Sequence, residues 1–211
     1  MSAGNLNSAM AALPLIAILR GVQPHEAVAI GQALNDAGWH MFEVPLNSPQ
    51  PLQSIALLHK AFPHLLVGAG TVLRPEQVQE VHQAGGRLIV APEFNAAVVR
   101  AALDLGMVCL PGVATPTEAF AALEAGATGL KLFPAEMIPP AAVKALRAVL
   151  PPGTALLPVG GIDASNIAAY VAAGASGFGV GSSLYKPGMA ADEVRRNALA
   201  LKDACTGTMR A

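Results

Sequence analysis

The feature that most constrains this 211-residue chain is an eightfold alternation. Short apolar runs begin at Leu15 (LIAILRG), Met41 (MFEVPLN), Leu65 (LLVGAGTV), Arg87 (RLIVAPE), Met107 (MVCLPGV), Gly129 (GLKLFPAE), Ala155 (ALLPVGG) and Gly177 (GFGVGSSL). Successive starts lie 20 to 26 residues apart. Near-continuous Val, Ile, Leu and Gly is how strands buried on both faces read. Between the runs lie Ala-rich segments with helical spacing, such as Ala27, Ile30 and Leu34, or the stretch TPTEAFAALEAGA, where Thr115 or Thr117 can cap and Pro116 suits a first turn. Five segments stop on a small or apolar residue followed by Gly (Gly38, Gly85, Gly106, Gly126, Gly174), the residue that takes up the left-handed conformation past a helix end.

Strand, helix and glycine stop, repeated, specify parallel βα units. Eight units of minimal length favour closure into an α/β (β/α)8 TIM barrel over an open doubly wound sheet, and the length fits the lower end of that fold. No composition break or linker interrupts the pattern, so one domain is expected over residues 1–211, with 1–12 as an N-terminal extension and about 202–211 as a C-terminal tail.

Composition narrows the function classes. The chain is 53% hydrophobic and 13% charged, against about 25% charged in an average domain. A formal net charge of −1 argues against a nucleic-acid partner. The longest uncharged stretch, 164–185, is too polar and too rich in glycine to span a membrane. The N-terminus has no basic region followed by a long apolar one, so a cytoplasmic protein without a membrane partner is expected. Cys109 and Cys205 offer neither a disulfide framework nor zinc spacing.

In a barrel, catalytic groups project from the C-terminal ends of strands. Few ionisable residues interrupt the runs. Of five lysines, Lys131 alone sits inside one. Burial lowers a lysine's pKa and frees its amine to attack carbonyls, although a structural ion pair is the plainer alternative. Glu43 interrupts the second run as either a general acid/base or the ion-pair partner of Lys131 or Arg20. Arg20 closes the first run, where a cation suits an anionic substrate group or bonds rim carbonyls. Glu93 reads as a solvated loop or helix N-terminal residue. Gly160-Gly161 and Gly181-Ser182 end the seventh and eighth runs, the usual phosphate site of this fold when a helix N-terminus follows. Gly70-Thr71 offers a hydroxyl and an amide to a small anion. None of the five histidines falls inside a run, so no catalytic metal is expected.

Taken together, the Arg closing the first run, FEVPLNSP, GAGTVL, Pro92 and GLKLFPAE resemble the class I 2-keto-3-deoxy-6-phosphogluconate (KDPG) and 6-phosphogalactonate (KDPGal) aldolases, over about residues 13–185. LPLIAILRGV, EVPLNSPQ, VGAGTVLRPEQV and ALLPVGGID are similar to the phosphogalactonate branch. The resemblance implies a Schiff base at Lys131, proton transfer by Glu43 through a water, and a substrate carboxylate at Gly70 and Thr71. It implies a phosphate at Gly160, Gly161, Gly181 and Ser182, substrate contact by Arg20, and Pro92 and Phe133 flanking the imine. It also implies a C4 determinant at Val159, no cofactor, and a homotrimer. Phosphogluconate-selective relatives carry Thr at the Val159 position and Arg near Asn47; this sequence has neither, which implies weak discrimination at C4. A phosphate-binding isomerase or epimerase, a non-catalytic sugar-phosphate binder and a KDPG-selective aldolase are the alternatives.

Overall fold

A computed structural model describes residues 6–209. The apolar runs become nine short parallel strands: β1 (Leu15–Ile18), β2 (Met41–Pro45), β3 (Leu66–Gly70), β4 (Leu88–Val90), β5 (Val108–Leu110), β6 (Gly112–Val113), β7 (Leu130–Leu132), β8 (Leu156–Pro158) and β9 (Phe178–Val180). Helices α2 (Pro24–Asp36), α3 (Pro51–Ala61), α4 (Pro75–Gln83), α5 (Ala96–Asp104), α6 (Pro116–Glu124), α7 (Pro140–Val149), α8 (Ile167–Ala172) and α9 (Ala191–Met209) alternate with them, and α1 (Leu6–Ala12) precedes them. The start and stop signals act as expected. Thr115 accepts from the Glu118 amide while Glu118 bonds back, and Pro116 opens α6. Gly38, Gly85, Gly106, Gly126 and Gly174 all have positive φ.

The expected closed eight-stranded barrel is corrected by the hydrogen bonding. Six strands form one sheet in the order β5-β4-β3-β2-β1-β9, and three form another in the order β6-β7-β8. Two prolines mark the seams. Pro111 splits the fifth run into β5 and β6, because it has no N–H to give a ladder. Pairing there is also irregular: Thr128 and Lys131, three residues apart, donate to Cys109 and Pro111, two apart. At the other seam β8 ends on Pro158, and the single bridge Val159↔Gly179 links it to β9.

Alternation along the strands sorts side chains into layers. Leu15, Ala17, Phe42, Val44, Val67, Ile89, Leu130 and Leu132 pack in the main core under the helices. On the opposite strand face Ile16, Met41, Leu66, Leu88, Leu110 and Leu157 form a second cluster. Leu6 and Ala9 of α1 complete it, so this part of the expected extension is buried against the strands. The expected tail continues α9, with Cys205 buried; residues 1–5 and 210–211 lie outside the described residues. Burying each large side chain such as Phe42 or Phe178 contributes roughly 1.5–3 kcal/mol. Among the described residues no helix is long and apolar enough to cross a membrane.

Candidate active site

Two residues beyond Ile16 and Met41, on the same strand face, come Ile18 and Glu43, paired in register. The face thus turns from apolar to ionisable at the C-terminal strand ends. There it borders a cavity of about 430 Å³ that Lys131 of β7 also lines. Glu43 is 2% exposed and Lys131 7%. Burial pushes the Glu43 carboxyl up to about 7, opposed by the nearby charges of Lys131 and Arg20. Burial also lowers the Lys131 ammonium, opposed by Glu43 and reinforced by Arg20. Both shifts favour the neutral forms. Glu43 Oε2 is buried without a hydrogen-bond partner, and Lys131 Nζ lies 4.5 Å from the centre of the Phe133 ring.

The other expected residues gather around this pair. Arg20, Thr71, Pro92, Phe133, Val159, Gly160, Gly161, Gly181 and Ser182 all line the cavity. Arg20 is exposed and donates from Nη1 to Asn47 Oδ1 at 2.6 Å. Thr71 has φ +58, a conformation rare for a β-branched residue, which costs about 1–3 kcal/mol. Gly70 does not line the cavity. It packs against the Glu43 carboxylate so closely that a Cβ there would overlap it. Gly160 and Gly161 adopt left-handed φ of +112 and +60. The amides of Gly160, Gly161, Gly181 and Ser182 donate to no protein acceptor among the described residues, so they are available to an anion.

The second glycine loop departs from expectation. No helix N-terminus stands immediately behind it: the Leu184 and Tyr185 amides turn back to the Gly181 carbonyl, and α9 begins only at Ala191. Glu93 is exposed, as expected. No histidine lines the cavity, and among the described residues no cluster of three metal-ligating side chains occurs.

Sequence reasoning missed Glu136, Tyr185 and Lys186, which also line the cavity. Glu136 packs on Gly160 and Gly161; it stands inside the GLKLFPAE motif, where only the lysine had been singled out. Lys186 is one of the four lysines outside the apolar runs, where nothing in the pattern singles it out. Tyr185 is buried and donates to Glu26 Oε1 at 2.9 Å, a contact 159 residues apart that no local pattern signals.

Known proteins point to the same chemistry. A chain from Rhizobium meliloti, named probable 2-dehydro-3-deoxy-6-phosphogalactonate aldolase, is 52% identical over 89% of each chain. The Escherichia coli K12 2-dehydro-3-deoxy-6-phosphogalactonate aldolase is 49% identical over 89% of this chain and 92% of its own. A native KDPGal structure superposes with a TM-score of 0.93 at 46% identity, covering 94% and 97% of the two chains. A KDPG aldolase from Legionella pneumophila, with pyruvate captured as a covalent carbinolamine, superposes with a TM-score of 0.79 at 29% identity over 97% and 98%. The model for KDPG and KHG aldolases matches residues 6–198, and the chain belongs to that aldolase family.

Proposed function

We propose that this protein is a class I aldolase that cleaves 2-dehydro-3-deoxy-6-phosphogalactonate, and its 6-phosphogluconate epimer, to pyruvate and D-glyceraldehyde 3-phosphate. The observation that carries the reading is the buried Lys131, its ammonium destabilised, sharing one cavity with the buried Glu43. The Lys131 amine attacks the C2 ketone to give a carbinolamine, and loss of water leaves an iminium. Glu43, directly or through one water, takes the C4 hydroxyl proton as the C3–C4 bond breaks and its electrons pass into the enamine. The aldehyde leaves, Glu43 returns the proton to C3, and water releases pyruvate and the free amine. A carboxyl near 7 can serve in both directions at neutral pH. The imine itself supplies the electron sink, so the scheme calls on no cofactor.

Thr71, beside Gly70, is assigned to the substrate carboxylate. The glycine loops and Ser182 are assigned to the phosphate, Arg20 to a further anionic contact, and Pro92 and Phe133 to shielding the imine from water. The buried Val159 side chain cannot hydrogen-bond a C4 hydroxyl, which supports acceptance of both epimers. A homotrimer, implied by the family resemblance, and a cytoplasmic location, expected from the sequence, are part of the same reading. Assaying pyruvate release from the two C4 epimers tests it. The expected kcat/KM values agree within about tenfold, the range of one net hydrogen bond. A gluco preference of a thousandfold, or no pyruvate from either epimer, would contradict it.

A further inference from the structure

The seam between the two sheets runs through the cavity, separating the Gly160-Gly161 loop after β8 from the Gly181-Ser182 loop after β9. Three contacts stitch it. At its base Ser176 exchanges bonds with Leu156, the Ser176 amide donating to the Leu156 carbonyl at 2.8 Å and the Leu156 amide to Ser176 Oγ at 3.1 Å. Arg147 holds the same Oγ at 3.0 Å. Midway stands the isolated bridge Val159↔Gly179. At the top Ser183 Oγ donates to the Ile162 carbonyl at 2.7 Å, tying one glycine loop to the other. Asn166 Nδ2 braces the first loop from behind, donating to the Gly161 carbonyl at 2.7 Å. Elsewhere a regular ladder would set the spacing of neighbouring strand ends, but here none runs.

From this geometry we infer that Ser183, supported by Asn166, is a positioning residue that fixes the gap between the two glycine loops, and with it the fit of the substrate's phosphate. Neither side chain lines the cavity; both act through backbone carbonyls of the loop whose free amides meet the anion. The inference rests on the phosphate assignment above. A loose cradle would weaken binding of the phosphorylated end and leave the imine-forming end unaffected. That is a KM effect confined to phosphorylated substrates.

The test compares wild type, Ser183→Ala, Ser183→Thr, Asn166→Ala and Ser176→Ala. Three readouts are used: steady-state kinetics on the 6-phosphorylated 2-keto-3-deoxy acid, the same kinetics on its dephosphorylated counterpart, and borohydride trapping of pyruvate. Ser183→Ala and Asn166→Ala are expected to raise KM for the phosphorylated substrate about 2- to 10-fold, the factor one hydrogen bond supplies. Values of kcat and the trapping yield should stay near wild type, and Ser183→Thr should restore KM. Ser176→Ala, which cuts the seam far from the loops, should lower Tm without moving KM. An unchanged KM in Ser183→Ala, or a parallel fall in pyruvate trapping, overturns the inference while leaving the phosphate assignment intact. A wild type with no preference for the phosphorylated substrate overturns the assignment and the inference together.

Discussion

At one end of the cavity the proposed chemistry is carried by side chains that grow from strand interiors. Lys131 and Glu43 are buried, and their positions follow from strand register and alternation. The proposed phosphate cradle is built instead from backbone amides of loops, shaped by left-handed glycines and by hydrogen bonds from behind. The two ends respond differently to change. A side chain on a strand can be truncated or exchanged for one of the same shape without moving its neighbours, so such substitution there should strike the chemical step. A loop conformation is shared by several residues, so substitution there should shift binding by smaller increments.

The sharpest break in this contrast is Lys131→Ala. Turnover should fall to background and pyruvate trapping should vanish, while the fold survives, because the change relieves the burial of an amine. A measurable single-turnover rate would remove the covalent step from the account. Glu43→Gln comes next. It should still form the imine but lose about 10²–10⁴-fold in kcat, the range for general acid–base help; unchanged turnover would make Glu43 a purely structural group.

The same carboxyl carries a pH signature. Its folded pKa, raised to about 7 from 4.5, means the folded state binds more protons than the unfolded state between those values. The contribution of Glu43 to stability therefore declines as pH rises from about 4.5 to about 7 and then levels. The Tm of Glu43→Gln should gain on wild type across that window, read by thermal melts from pH 4 to 9. In the wild type kcat/KM should show a limb near pH 7 from the Glu43 carboxyl that the variant lacks. A flat Tm difference would mean the carboxyl is not desolvated.

Smaller effects probe how tightly the strand end is packed. Gly70→Ala puts a methyl where the Glu43 carboxylate lies. It should cost about 1–3 kcal/mol, the usual range for overpacking, and at least about tenfold in kcat. Differential melts and kinetics check both, and a silent substitution would show that Glu43 can be held elsewhere. Val159→Thr, beside the glycine loop, is the mildest change. It should shift the ratio of kcat/KM for the two C4 epimers by about 2- to 10-fold toward the phosphogluconate form, with little change in Tm.

The contrast also explains what could be read without coordinates. Lys131 and Glu43 stood out because an ionisable residue inside an apolar run violates the pattern that specifies the strand. The helix ends were legible because Gly38 or Gly174 is demanded by local backbone geometry. The division into two sheets was not, and the expected closed barrel was wrong, since closure is a matter of hydrogen-bond continuity between strands distant in sequence. Pro111 and Pro158 carried a hint of the seams, but each lies within a run whose apolar character masked it. The reach of Glu136 over Gly160, and the stitch from Ser183 to Ile162, join loops that no period in the sequence brings together.

The central claim is that Lys131 forms the covalent intermediate, and borohydride reduction in the presence of pyruvate tests it most directly. Mass spectrometry of the intact protein and of its peptides should show one reduced pyruvyl adduct per chain, located on Lys131 and absent from Lys131→Ala. Absence of an adduct, or an adduct on another lysine such as Lys186 that persists in the variant, would contradict the account.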